Sequence, residues 1–368
     1  MAKDQQKPDY LLIGVIFLII IFGLVMLSSA SSAIAFKERG DTYYFLKHQI
    51  FTGLLPGLFL FFIFIKINYR YWQKYTLGWF ILSVVLLILP FIPGLGSTSG
   101  TSSHSWIIIL GQSLQPAEIV KLTFTLFLAG WLATKQSREI QHLKAGFVPF
   151  LIFLGIIAGL ILLQPDIGTL FIIASIAVAI FFAANGNLFH LFWLGLGGVT
   201  GLTVLIKLNP YQGKRLLTFL NPGLDPQGIG YHINQALLAI GSGGLLGRGL
   251  GQSRQKFQYL PEVFGDSIFA IIAEELGFIM VIVLIALFVF LMYRGLKLAE
   301  KTPDTYGRLI VIGIIFWFSF QALVNIASMV GLMPMTGLPL PFISYGGTSL
   351  MTSLAAVGIL ANVSKEAK

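Results

Sequence analysis

Two carboxylates stand close together where a polar stretch of this chain meets a long apolar one. Glu262 follows a proline, and Asp266 comes four residues later, directly before a long apolar run. A carboxylate at a water–lipid boundary can act as a general base on a hydroxyl group. The position also suits a helix N-cap, because Gly-Asp-Ser before an apolar run is typical of a helix start. Catalysis and capping both remain open for Asp266.

Basic residues and glycines precede these carboxylates. Arg215 opens the polar stretch, and Arg248 and Lys256 lie in the run GSGGLLGRGLGQSRQK over 241–256. Glycines let backbone amides approach an anion closely, and the cations suit a phosphate or pyrophosphate. The run mimics GxGxxG, but the strand and βαβ context of that motif is missing, which argues against a nucleotide site. A flexible turn or tight helix packing is the alternative.

Charged residues also occur inside apolar segments, where a charge is costly and therefore suggests function. Glu118 and Lys121 lie three residues apart, one turn, on the same helix face. They are read either as a mutually neutralising pair or as functional groups. Glu274 and Glu275 are adjacent and cannot face the same way. At least one of them should point into the bundle, protonated or paired with a cation such as Lys121.

Membrane-spanning helices must position these groups. The chain has 56% hydrophobic and only 11% charged residues, with a mean hydropathy of +0.85, whereas soluble domains are about a quarter charged. The basic residues are scattered singly, so the net charge of +9 predicts a topology signal and no nucleic-acid partner. The absence of cysteine excludes disulfides and Cys-ligated metals. We predict an all-α polytopic membrane protein.

About ten transmembrane helices are expected from apolar runs of about 20 residues. They cover residues 11–29, 49–67, 76–95, 117–134, 145–163, 168–185, 189–207, 267–293, 308–330 and 345–362. Residues 208–265, between spans seven and eight, are predicted as a large external loop with a short amphipathic or re-entrant helix over 232–240. The final loop, over 331–350, either shapes an outward-facing cleft or is a rigid connector. The whole of 1–368 is predicted as one transmembrane domain.

Lys and Arg in short loops predict the orientation. With the N-terminus inside, the inner loops hold most of the basic residues, and the short outer loops hold only Lys37, Arg39 and Lys47. Both termini are therefore predicted to be cytoplasmic.

Several long motifs closely resemble the SEDS family (shape, elongation, division and sporulation), the polytopic peptidoglycan polymerases FtsW and RodA. They are SSASS, YYFLKHQ, LGQSLQPAEIVK, QPDIGT, AIGSGGLLGRGLGQSRQKFQYLPE, DSIFAIIAEELGF and GLPLPFISYGGTS, in the family's order. YYFLKHQ and GLGQSRQKFQYLPE favour FtsW, whereas GYHINQ around His232 leans toward RodA.

The resemblance implies a glycosyltransferase at the outer face of the bacterial cytoplasmic membrane. It would polymerise lipid II into β-1,4 glycan strands, releasing undecaprenyl pyrophosphate, in cell division or, in the RodA-like alternative, elongation. The family's essential Asp falls on Asp266, and its intramembrane charged pair falls on Glu118 and Lys121. We add the hypothesis that Arg215, Arg248 and Lys256 bind the pyrophosphate and that Glu262 orients substrate or a divalent cation.

Cofactors and partners follow only in part. No metal-ligand set can be read from the sequence, so Mg²⁺ or Mn²⁺ stays open. The chain lacks an SxxK motif followed by KTG, so crosslinking would need the family's usual class B penicillin-binding protein, alongside other division proteins. Phe264 and Gly265 replace the family's usual His-Thr, and Ser105 replaces its usual Arg before Trp106. A lipid II flippase and a non-catalytic scaffold are the rival readings.

Overall fold

The computed structural model describes residues 7–97, 105–109, 111–208, 210–220, 228–257 and 259–367. Helices dominate these residues. In chain order they are α1 (Tyr10–Arg39), α2 (Tyr44–Gln49), α3 (Leu55–Lys66), α4 (Arg70–Gln73), α5 (Thr76–Ile88), α6 (Pro116–Ala133), α7 (Ser137–Gln141), α8 (Val148–Leu163), α9 (Ile167–Ala183), α10 (Leu188–Leu208), α11 (Pro210–Leu220), α12 (Ile229–Gly243), α13 (Ile268–Lys301), α14 (Thr305–Met329) and α15 (Gly347–Ser364). One π turn, Ile50–Leu54, joins α2 to α3, another, Leu143–Phe147, leads into α8, and a 3-10 turn, Leu89–Phe91, follows α5.

The predicted polytopic all-α fold is confirmed. Within the described residues, 7 helical segments are long and apolar enough to cross a membrane. Three shorter apolar helices, Thr76–Phe91, Ile167–Ala183 and Leu188–Val204, coincide with the remaining predicted spans. Their short length leaves the total of about ten spans a prediction.

A small antiparallel sheet departs from the all-helical expectation. Strands β1 (Gly96–Ser97), β2 (Trp106–Ile109) and β3 (Gln112–Leu114) pair in the order β1-β2-β3 between α5 and α6. The β-branched run of three isoleucines after Trp106 favours a strand, and these loop residues lie between two predicted spans. Ser105 is buried beside this sheet and donates to the carbonyl of Gln164 at 3.2 Å. His104 lies outside the described residues.

The predicted external loop over 208–265 is more helical than expected. Helix α11 covers Pro210–Leu220, and α12 extends the helix predicted over 232–240 to Ile229–Gly243. Helix α12 packs along α13, which gives its apolar face a partner. Residues 221–227 of this loop lie outside the described residues.

Helix α13 is broken at Gly277, whose φ of +78° lies in the left-handed region that favours glycine. The break leaves the carbonyls of Glu274 and Glu275 without amide partners in their own helix. They accept instead from the amides of Arg248, at 3.0 Å, and Gly249, at 2.9 Å. Backbone groups at membrane depth must find hydrogen-bond partners within the protein. The break in α13 and the Gly-rich segment over 241–256 therefore depend on each other.

The Gly-rich segment is built for close approach of two backbones. The amide of Phe278 donates to the carbonyl of Gly244 at 2.9 Å. A Cβ on Gly243 would lie 2.0 Å from the carbonyl oxygen of Ala273. Tight helix packing is therefore the role that the structure gives these glycines. The amides of Arg248 and Gly249 donate to carbonyls of α13, which corrects the anion-binding interpretation for these two amides.

Helix α15, the last helix of the chain, packs along α3. A Cβ on Gly57 would lie 2.6 Å from Cδ1 of Leu354, and one on Gly53 would lie 3.2 Å from Cα of Gly347. Within lipid, the hydrophobic effect does not drive helices together, so close packing does. Small residues at such contacts let the two helices approach closely. At the end of this bundle, the amide of Asp9 donates to Ser364 Oγ at 2.9 Å.

A substitution at Gly277 tests the mutual dependence of the break and the Gly-rich segment. A methyl group there would lie 2.2 Å from the amide nitrogen of Gly247. We expect Gly277→Ala to lower the free energy of unfolding by about 1–3 kcal/mol from backbone strain alone. The measurement is the thermal unfolding midpoint of the detergent-solubilised protein.

Gly14→Ala is the matched control, because no atom lies within 4 Å of its added methyl group. Alanine is also the better helix former, by about 1 kcal/mol. Equal midpoints for the two variants would contradict the structural role assigned to Gly277.

Candidate active site

Asp266 lies in the turn that leads into α13. The N-cap of α13 is Ser267, and no side chain caps the helix there. The capping interpretation of Asp266 is therefore wrong, because its carboxylate makes no bond to the first helical amides. The side chain is left for another role, at the N-terminal start of α13, where the polar loop ends.

The backbone of Asp266 is held by the side-chain amide of one buried residue, Asn325. Asn325 Nδ2, on α14, donates to the carbonyl of Asp266 at 2.8 Å and to that of Leu338 at 2.8 Å. Asn325 is fully buried, so this bridge ties the turn to the final loop. On the far side, Oδ2 of Asp266 lies 4.0 Å from the place where a Cβ on Gly337 would stand. Apart from the chain neighbours of Gly337, no other atom lies within 4 Å of that place, so Oδ2 faces an open edge of the loop there.

The surroundings of Asp266 raise the pKa of its carboxyl to about 7. Burial is the main cause, and the negative charge of Glu262 adds to it. A hydrogen bond from Ser267 and the positive charge of Arg215 oppose the shift. A carboxyl with a pKa near neutrality is suited to proton transfer at physiological pH.

Glu262 is placed with Asp266, as the sequence predicted. Its φ of +48° is unusual for a residue with a side chain, and its carbonyl accepts from the amides of Gly265 and Ser267 at 2.9 and 3.2 Å. Its Oε2 would lie 3.1 Å from a Cβ on Gly265. The glycine at this departure from the family pattern therefore makes room for the Glu262 carboxylate.

Phe264, the other residue of this departure, belongs to an aromatic cluster. Its ring stacks on Phe45 with centroids 4.4 Å apart and meets Tyr345 edge-on at 5.5 Å. Its carbonyl accepts from the amide of Tyr345 at 2.8 Å. A phenylalanine here holds the turn against α2 and the final loop but offers Asp266 no hydrogen bond.

Arg215 is the predicted cation that lies in the environment of Asp266. It projects from α11, and its Nη1 donates to the carbonyl of Met335 at 3.4 Å, two residues before Gly337. Its charge acts on the pKa of Asp266 and on that of His232. Helix α11 and the final loop thus bring a guanidinium to the candidate base.

Arg248 and Lys256 belong to a second cluster, built on the broken part of α13. Lys256 is buried, and its Nζ lies 3.0 Å from Oε1 of Glu275 and 2.7 Å from the carbonyl of Gly251. Arg248 Nε lies 3.9 Å from Oε1 of Glu274. The structure gives Lys256 a structural pairing in place of a free position facing a pyrophosphate.

The same cluster corrects the partner predicted for the adjacent glutamates. Both are buried, and their cations come from the loop over 248–256 and not from Lys121. Ser29 on α1 also donates to Glu275, at 2.6 Å to Oε2. Pairing these carboxylates required the loop to fold back on α13, which sequence spacing does not reveal.

Glu118 and Lys121 form the predicted intramembrane pair. Lys121 Nζ lies 2.7 Å from Oε1 of Glu118, and both side chains are almost fully buried. The ammonium also donates to Oε1 of Gln321 at 2.9 Å and lies 5.0 Å from the ring centroid of Trp317. The pair joins α6 to α14 and neutralises its own charge, which is the structural interpretation of these residues.

His232 is a site residue that the sequence reasoning missed. It lies on α12, half-buried, with Nε2 2.6 Å from Oγ of Ser267. Burial and the charge of Arg215 lower its pKa to about 4, so it is neutral at physiological pH. The polar stretch GYHINQ was informative, but nothing in the spacing indicates that it reaches the start of α13.

Within the described residues, no group of three or more His, Cys, Asp and Glu side chains could hold a metal ion. Asp266 and Glu262 supply two carboxylates, which fall short of a ligand set made by the protein alone. A divalent cation at this place would need further ligands from a substrate, so Mg²⁺ or Mn²⁺ stays a prediction.

Comparisons with known proteins cover nearly the whole chain. The model of a family described as FtsW/RodA/SpoVE, cell cycle protein, matches residues 9–368. Stage V sporulation protein E of Bacillus subtilis is 41% identical over 99% of this chain and 99% of its own length. A probable peptidoglycan glycosyltransferase FtsW of Trichlorobacter lovleyi is 41% identical over 99% of this chain and 96% of its own length.

Solved structures show the same fold. A chain from a structure described as the structural coordination of polymerization and crosslinking by a peptidoglycan synthase complex has a TM-score of 0.80. It is 28% identical and the match covers 98% of both chains. The rod shape determining protein RodA of Thermus thermophilus has a TM-score of 0.71 at 26% identity, over 98% of this chain and 97% of its own.

The charges around Asp266 predict how its pKa responds to substitution. We expect Glu262→Gln to lower this pKa, because it removes a like charge, and Arg215→Met to raise it, because it removes an opposite charge. The measurement is an infrared titration of the carboxyl stretch, isolated by subtracting the spectrum of Asp266→Asn. Glu300→Gln, at the far end of α13, is the control, and equal shifts in all three variants would contradict this electrostatic arrangement.

The buried pair of Lys256 and Glu275 predicts a stability effect. Lys256→Met leaves the Glu275 carboxylate without its cation, which we expect to lower the free energy of unfolding by about 3–5 kcal/mol. The double variant Lys256→Met/Glu275→Gln should recover part of that loss. Thermal unfolding in detergent measures both, and an unchanged midpoint for Lys256→Met would return this lysine to a substrate role.

Proposed function

The chain belongs to the FtsW/RodA/SpoVE family of cell cycle proteins, and from that membership and the geometry of Asp266 we infer that it is a peptidoglycan glycosyltransferase. We propose that it polymerises lipid II into β-1,4 glycan strands at the outer face of the cytoplasmic membrane. The FtsW relatives favour a role in division. Elongation is the alternative within the family.

One observation carries the proposal: the carboxyl of Asp266, with a pKa of about 7, presents Oδ2 to the open edge at Gly337. In the proposed step, Oδ2 takes the proton from the 4-hydroxyl of the acceptor GlcNAc. The acceptor oxygen then bonds to C1 of the MurNAc that ends the growing glycan. The bond from C1 to the pyrophosphate breaks, and undecaprenyl pyrophosphate leaves with the electron pair. Attack opposite the leaving group inverts C1 and gives the β linkage.

Arg215 is the cation best placed to act in this step. Its charge reaches Asp266, so a pyrophosphate held beside the acceptor would meet a guanidinium, which suits phosphate geometry. Arg248 is exposed at the Gly-rich turn, where it could contact a lipid head group at a distance from the base. Lys256 contributes by holding the loop, and Glu262 by keeping the pKa of Asp266 high.

A divalent cation, Mg²⁺ or Mn²⁺, remains a proposal. Asp266 and Glu262 could supply at most part of its ligands, so the phosphates of the substrate would have to supply others. The polymerisation assay described below, repeated with a chelator, decides whether a cation is needed.

The chain is a multi-pass membrane protein, and we propose that both termini are cytoplasmic. Residues near both ends meet at one end of the bundle, through Asp9 and Ser364, which an even number of spans requires. One of the similar solved structures comes from a peptidoglycan synthase complex that coordinates polymerisation with crosslinking. This likeness supports a class B penicillin-binding protein as the partner, together with other division proteins.

The flippase alternative has less support. Transport across the bilayer would use charges at membrane depth, yet Glu118 and Lys121 are buried against each other and against Gln321. The polar groups around Asp266 gather instead at one end of the helices. That one-sided arrangement favours an enzyme acting at a membrane surface.

The first test is glycan polymerisation from purified lipid II by the detergent-solubilised protein with its cognate class B partner. We expect polymer from the wild type and a loss of at least about a hundredfold for Asp266→Asn, because a general base contributes about 10²–10⁴-fold. Polymer length is read by gel electrophoresis of labelled glycan.

Asp304→Asn is unsuitable as a control, because Asp304 caps α14 and bonds Tyr69. Glu38→Gln, an exposed change at the end of α1, is suitable and should retain polymerisation. Equal polymer from the wild type and Asp266→Asn would remove Asp266 from catalysis. No polymer from any variant, across metals and partners, would favour transport or scaffolding.

A further inference from the structure

Ser267 stands at the N-cap of α13 but does not cap it. Serine is a preferred N-cap residue because its hydroxyl accepts from an amide in the first turn. Here no side-chain bond of that kind forms. The hydroxyl instead lies 2.6 Å from Nε2 of His232 and 3.3 Å from Oδ1 of Asp266. A favourable local bond is forgone, and the hydroxyl joins two titratable side chains from different helices.

The direction of these two hydrogen bonds follows from the available protons. In the ionised form, which is the form that can act as a base, the Asp266 carboxylate only accepts, so Ser267 donates its single proton to Oδ1. Its oxygen can then accept from His232, which requires the neutral imidazole to carry its proton on Nε2. Ser267 is fully buried, so water does not compete freely for its hydroxyl.

We propose that His232 and Ser267 are positioning residues that hold Oδ1 of Asp266 and leave Oδ2 as the oxygen that takes the proton. The inference rests on the proposed glycosyltransferase function. His232 sets the orientation of the Ser267 hydroxyl, and that hydroxyl fixes the rotation of the carboxylate. Oδ2 then keeps its place beside Gly337, where an acceptor hydroxyl can approach.

The arrangement joins three segments that are distant in sequence. Helix α12 brings His232, and Ser267 is the N-cap of α13. Asn325 on α14 holds the backbone of Asp266 from the other side. The carboxylate is therefore fixed through both its main chain and one of its oxygens. A base that must meet a sugar hydroxyl in one geometry benefits from both restraints.

Paired variants test this role. Ser267→Ala removes the hydroxyl, whereas Ser267→Thr keeps it. His232→Phe keeps a ring but removes the donor, whereas His232→Gln keeps an N–H donor. We expect Ser267→Ala and His232→Phe to lower kcat for lipid II polymerisation by about tenfold, in line with the loss of one hydrogen bond to a charged group, with KM unchanged. The conservative partner of each should recover most of that loss.

The pH profile separates positioning from structural support. The groups acting on Asp266 are Glu262, Arg215 and Ser267, with His232 behind the serine. Because Ser267 bonds the ionised form, its loss should raise the pKa of the base and move the rising limb of kcat against pH to higher pH. His142→Gln is the control, because His142 is an exposed histidine between α7 and the π turn that leads into α8.

Four results decide the matter. A normal limb and normal kcat in Ser267→Ala, with Asp266→Asn inactive, would overturn the positioning role and leave the proposed function standing. Equal losses in Ser267→Ala and Ser267→Thr, with unmoved limbs, would also overturn it, because a structural role would then suffice. If Ser267→Ala unfolds, the comparison of His232→Phe with His232→Gln decides alone. No polymer from the wild type, across metals and partners, would overturn the proposed function itself.

Discussion

The demand that every backbone group be satisfied within the bilayer shapes this molecule more than any other constraint. Gly277 breaks α13, and the carbonyls that it frees accept from the Gly-rich segment. That exchange pins the polar loop against a helix that would otherwise be continuous. The buried cation at Lys256 and the carboxylate of Glu275 then lock the loop in place. These contacts hold the loop over 248–256 against α13, a few residues before the turn that carries Asp266.

The candidate site uses the rigidity that this anchor supplies. Asn325 joins the turn to the final loop through two carbonyls, and Phe264 packs the same turn against α2. The two residues that replace the family's usual His-Thr are thus accommodated by local packing: Gly265 admits Glu262, and Phe264 completes an aromatic cluster. The pKa of Asp266 depends on burial and on the charge of Glu262 more than on the two residues directly before it.

Much of the fold could be predicted from the sequence, because apolar runs of sufficient length specify spans directly. Asp266 could be singled out by its place at the start of such a run and by the family resemblance. Of the two helices within 208–265, α12 was predicted in part, over 232–240, whereas α11 was missed because it is too polar to be recognised as a membrane segment. The partners of Lys256 and His232 were missed for a different reason. Each contacts a residue brought close only by the fold, and a glycine inside an apolar helix does not reveal that the helix breaks.

The packing of α15 on α3 also bears on how the chain is made. The amide of Tyr69, just beyond α3, is satisfied by the side chain of Asn362, 293 residues later in the chain. At a synthesis rate of about 5–20 residues per second, roughly 15–60 s separate the emergence of the two from the ribosome. During that interval the first helices lie in the bilayer with the small-residue face at Gly57 uncovered. The nascent protein therefore depends on lipid, or on an insertion factor, to cover that face until its last helix arrives.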